Sequence, residues 1–176
     1  MKSRTRIILA CVVAAMSVTS LAHAATSGTA AVTLVASPNT MIQILDPTLT
    51  MTPTSTDYDV EFVEATGASG LRVRVKTNST TGMVLSVRCA DVSPQIALAD
   101  LLVRTATASP SGGPTMSSYT PITATNQTLW TTGAAQHPWA TVTTDVRVQN
   151  LFNYDAAVLA GTASYTNTLT YTVVTQ

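Results

Sequence analysis

Beyond its first 24 residues this chain holds one cysteine, Cys89, and one histidine, His137. One cysteine excludes an intrachain disulfide, and one histidine excludes a His-x-x-x-His zinc pair; a hydrolytic triad would have to be built on His137 alone. Neither a Gly-x-Ser-x-Gly elbow nor a glycine-rich phosphate loop occurs. Charged residues make up 10% of the sequence and aromatic residues 5%. Lysine and glutamate are scarce, and no window sustains the 3.6-residue period of an amphipathic helix. After residue 24 no apolar run approaches the roughly 20 residues that span a bilayer. Enzymatic activity, a cofactor and a transmembrane helix are therefore not expected.

Residues 1–24 have a different character. Lys2, Arg4 and Arg6 precede a mostly apolar run from Ile7 to Leu21, and Ala22-His23-Ala24 supplies the small residues that signal peptidases cut after. The segment reads as a secretory signal, with the mature chain starting at Ala25. Leu9-Ala10-Cys11 faintly resembles a lipobox, but cleavage there would leave almost no hydrophobic stretch ahead of the modified cysteine. Export to the cell surface or envelope is the expected location. From Ala25 onward there are six Lys and Arg against nine Asp and Glu, a net charge of −3 with His137 neutral. Such an acidic balance argues against nucleic acid as a partner.

What remains is rich in threonine, valine, alanine and serine, in short alternating runs broken by Gly, Pro, Asn and Ser. That pattern predicts an all-β antiparallel sandwich, Ig-like in style, with residues 25–176 as one domain. Strands are expected near 28–36, 40–45, 58–64, 71–77, 83–89, 120–125, 142–149 and 163–174. Residues 95–105 are expected to form a strand with a turn. In the last strand, Tyr165, Leu169, Tyr171 and Val173 share the buried parity, and Thr166, Thr168, Thr170 and Thr172 share the wet one. Cys89 shares a parity with Leu85 and Val87 and is expected to face inward.

One pairing can be written out residue by residue. If 58–64 and 71–77 form a hairpin around "ATGASG", then Glu61 faces Arg74, Asp59 faces Lys76, Phe62 faces Val73 and Val60 faces Val75. Opposed pairs of this kind contribute roughly 0.2–1 kcal/mol each. In this reading the dense carboxylates Asp57, Asp59, Glu61 and Glu64 are neutralised by the next strand rather than left to hold a hard cation, so no metal is expected.

Among candidate binding residues, Trp130 and Trp139 bracket a short loop. They either stack on a sugar ring as paired aromatics or plug one end of the core. Pairing Cys89 with His137 as nucleophile and base is a weak alternative. Asn78-Ser79-Thr80 and Asn126-Gln127-Thr128 match glycosylation sequons.

Two stretches together resemble the WxL domain of bacterial surface proteins. "YTNTLTYTV" supplies Tyr165, Leu169, Thr170, Tyr171 and Val173 against the family's Tyr-x-x-x-Leu-Thr-Trp-x-Leu, and "GMVLSV", Gly82 to Val87, matches its Gly-Trp-x-Leu-like strand. Met83 and Tyr171 stand at the positions of the two signature tryptophans. The resemblance implies a sandwich fold and a non-catalytic attachment to a cell-envelope polymer, with Met83, Tyr165 and Tyr171 near the binding face. A second likeness is to filament subunits that donate an N-terminal strand to a neighbouring copy. Ala30, Val32, Leu34 and Ala36 share one parity directly after the cleavage site, so residues 26–36 form either the first strand of the chain's own sandwich or a donor strand. The expected function is a non-catalytic surface or envelope protein acting by adhesion, with self-polymerisation as the alternative and a carbohydrate-binding module behind both.

Overall fold

A computed structural model describes residues 31–109, 113–114, 116–154 and 164–176, the side chains of residues 109 and 114 excepted. The expected leader, Ala30 and the rest of residues 25–30 lie outside the described residues. The chain divides into two units, Met1–Ala36 and Ser37–Gln176. Of the first, residues 31–36 are described: they belong to no strand and are exposed throughout, so the strand expected at 28–36 does not form over its described part. Among the described residues, no helix is long and apolar enough to cross a membrane.

The second unit is nearly all β, with two antiparallel sheets. The first sheet contains β1 (Thr40–Ile44), β3 (Leu71–Thr77), β9 (Gln136–Gln149), β5 (Leu101–Ser109) and β7 (Thr120–Pro121) in that order, and β2 (Phe62–Ala65) also pairs with β9. The second runs β10 (Leu169–Thr175), β4 (Met83–Cys89), β8 (Gln127–Thr132), β6 (Gly113–Pro114). Inward-facing Val73, Val75, Val103, Ala140, Val142 and Val146 of the first sheet meet Met83, Leu85, Val87, Leu129 and Trp130 of the second. Alternation along β3 and β4 puts every second residue into this core, which is why both strands fall where their sequence pattern places them.

The expected hairpin does not form. Thr54 and Asp57 close a capping box, with the Thr54 N–H and Oγ1 both donating to Asp57 Oδ2 at 2.7 Å, and Ser55–Val60 coils into a short helix, α1, instead of a strand. Glu61 ends that helix at φ 60°. β2 then pairs with β9 through Phe62↔Gln149 and Ala65↔Val146, and β3 continues along the same edge of β9 from Leu71↔Thr144 onward. The two strands are thus laid end to end, running the same way, and joined by a turn at Gly67–Ser69. They cannot face each other across a register. The carboxylates of residues 57–61 consequently sit on a helical turn, not on a strand face opposite Arg74 and Lys76.

The remaining differences have local causes. β9 begins six residues before the expected 142–149, because it takes Pro138 within an irregularity between Val75 and Thr77 of the partner strand. Ahead of β10, Thr166 and Asn167 are held by side-chain hydrogen bonds: Gln95 Oε1 accepts from Thr166 N–H at 2.8 Å, and Asn167 Oδ1 accepts from Ile96 N–H at 3.0 Å. Gly82, at φ 87°, brings the chain into β4 so close to Thr132 that a β-carbon there would lie 1.8 Å from the Thr132 carbonyl oxygen. Only glycine fits that approach.

Candidate functional site

The outward face of the first sheet concentrates the charge of the unit. Arg72, Arg74 and Lys76 alternate along β3, Arg104 stands on β5 and Arg147 on β9; of the six cations after residue 24, only Arg88 lies elsewhere, on β4. Over most of this face each cation has its own carboxylate. Arg104 meets Asp145 at 2.8 Å, Arg147 meets Glu64 at 2.8 Å and Arg72 meets Asp46 at 2.7 Å. Asp145 is 1% exposed and also accepts the Gly67 N–H at 2.8 Å, which clamps the β2–β3 turn onto β9. Tyr119 lies under the guanidinium groups of Arg104 and Arg147, at 4.4 and 4.0 Å, while Phe62 lies 4.2 Å from Arg147. Burial would raise the Glu64 carboxyl, but the hydrogen bonds from Arg147 and the charges of Arg147 and Arg104 outweigh it, and its pKa is lowered.

The β1 end of the face is built differently. Arg74 and Lys76 have no carboxylate partner among the described residues. The Arg74 guanidinium carbon and the Lys76 ammonium both lie 4.7 Å from the Trp139 ring centroid, and Arg74 Nε donates to Gln43 Oε1 at 2.7 Å. The sequence explains this placement. Pro138 has no N–H to give a ladder, so β9 departs from regular pairing at that point, and Gln136 Nε2 bonds the Pro138 carbonyl at 2.8 Å. Such an irregularity re-aims the next side chain, and Trp139 stands half-buried on the outer face beside Lys76. Next to it opens a groove of about 220 Å³ lined by Asn39, Met41, Lys76, Gln136 and His137 among others. Met41 is 48% exposed there.

The structure separates the other candidates. Trp130 is fully buried on β8 in the second sheet, so it belongs to the core and cannot share a sugar platform with Trp139 in the first. Met83 is fully buried as well, and it is not available as a binding residue. Tyr171 is half-buried; its hydroxyl is sealed inside against Thr144 of the opposite sheet without forming a hydrogen bond, and burial pushes its pKa up to about 12 against a lowering by Thr144. Tyr165 packs edge-on against Tyr154 at 5.1 Å, and Tyr154 in turn donates to Asp100 at 2.7 Å. These tyrosines tie the chain's last segment to the 95–100 loop. β4 and β10, which carry the two WxL-like stretches, pair directly from Leu169↔Cys89 to Thr175↔Met83. Cys89 is buried and its thiol pKa is raised by burial, whereas His137 is exposed on the other sheet, so a nucleophile–base pair is not assembled. Of the donor-strand residues, Val32 and Leu34 are 96% and 88% exposed, and Ala36 is exposed.

Sequence reasoning missed Arg74 and Lys76 as site residues because it assigned them to Asp59 and Glu61. Pro138 inside an alternating run was the available signal. No family model, curated protein or solved structure matches the chain.

Proposed function

We propose that this chain is an exported cell-surface structural protein acting by non-catalytic contact, and that its copies join by strand addition, residues 26–36 of one extending a sheet of the next. One observation supports the reading above the others: the described part of that segment lies in neither sheet and exposes Val32 and Leu34 at 96% and 88%. Burying a Val or Leu side chain stabilises by about 1.5–3 kcal/mol, so a same-parity pair left in water is a ready source of association energy. β10 offers a complementary edge. Among the described residues it pairs with β4 alone, and its Leu169, Tyr171 and Val173 pack against the core while remaining half-buried. An unpaired edge with one apolar face is a template for an added strand.

Deleting residues 26–36 from the chain beginning at Ala25 is expected to abolish polymers while leaving a soluble, cooperatively folding sandwich. Polymers that persist after the deletion would remove the strand-donation reading. Adhesion to a cell-envelope polymer is the second non-catalytic reading, favoured by a different observation, the half-buried Trp139 with its two carboxylate-free cations.

A further inference from the structure

Charge pairing on the outer face of the first sheet is complete except at one place. Arg72, Arg104 and Arg147 each hold a carboxylate within 2.8 Å, and Arg74 and Lys76 hold none among the described residues. Both converge on one aromatic ring. Cation–π contact organises the two groups but leaves their positive charge uncompensated, because the ring carries no net charge. A surface that acquires a carboxylate for every other cation here keeps these two open beside a groove.

We propose that Trp139, Arg74, Lys76 and the adjoining groove bind an acidic polysaccharide, a chain of sugar rings bearing carboxylates. This deepens the adhesion reading and rests on it, independently of strand donation. Each part of the site answers one part of such a ligand. Arg74 and Lys76 receive the carboxylate, and the guanidinium does so with two parallel N–H donors. Met41, 48% exposed, presents apolar surface to the C–H face of a pyranose, and the Trp139 ring sets the position of the two cations beside it. Asn39 and His137 stand along the groove and offer hydrogen bonds to ring hydroxyls.

The test is affinity electrophoresis of the chain beginning at Ala25 through gels containing polyuronate oligosaccharide or a neutral glucan, at low and high salt. Retention by the polyuronate, relieved by salt, is expected. Arg74→Gln with Lys76→Gln should weaken it by about tenfold or more, the usual consequence of removing contacting charges. Arg88→Gln, on the other sheet, should leave it unchanged, and each variant's melting curve should match that of the parent. Trp130 being sealed in the core, Trp139 fluorescence should report binding directly. Equal retention by the neutral polymer, or equal loss in Arg88→Gln, overturns the proposal while leaving adhesion standing. No retention by either polymer, repeated on whole envelope preparations, overturns both.

Discussion

Trp130 and Trp139 lie nine positions apart in one stretch of sequence and occupy opposite environments. The first is fully buried between two sheets; the second stands on the outside of one, gripped by two cations. The difference comes from the chain between them. β8 and β9 belong to different sheets, so the intervening turn crosses from one layer to the other, and Pro138 then breaks the ladder just before Trp139. Residue type alone does not distinguish a core plug from a binding aromatic; the sheet that each strand joins does.

Truncating the two side chains should separate them most widely. Trp130→Ala is expected to cost about 3–5 kcal/mol, as large core deletions do, measured by urea unfolding. Trp139→Ala should cost less than about 1 kcal/mol, the scale of an exposed cation–aromatic contact. Similar losses from both would mean that Trp139 is part of the core after all.

A smaller effect separates interior from outer face by pH. Inside, Tyr171 is held neutral, its pKa raised by burial to about 12 from 10.0. The folded state therefore favours the protonated phenol: its contribution is complete below pH 10 and is lost as pH rises toward 12. Tyr171→Phe should make the alkaline limb shallower without removing it, because burial also raises Tyr119 and Tyr154 to about 12. Outside, the hydrogen bond from Arg72 lowers the Asp46 pKa, with burial acting against it. That contribution is present above the ordinary carboxylate range, near about 4, and is lost as pH falls below it. Because the pair is exposed, the acid limb should be shallow and should fade with added salt. Denaturation midpoints across pH would show whether the alkaline limb is the steeper, as expected.

Much of the fold was legible in the sequence. β3 and β4 fall at their expected bounds because alternation with one buried parity specifies a strand and its register together. The inward placement of Cys89 followed from the same parity. Residues 58–64 read as a strand because Tyr58, Val60 and Phe62 mimic strand alternation, yet the capping pair Thr54 and Asp57 favours a helical turn. β8 went unseen, since "QTLWTT" is short and its partners lie far away in sequence. The candidate site was legible only in its aromatic. That Arg74 and Lys76 lack carboxylates among the described residues depends on β2 and β3 lying end to end along β9, a long-range arrangement that no local pattern encodes.

Assembly through a donated strand shows itself first in solution. Light scattering on chromatographed protein beginning at Ala25, across a concentration series with parallel electron microscopy, tests it most directly. Strand donation predicts oligomers that grow with concentration, or fibres; a monomer that stays concentration-independent throughout would contradict it.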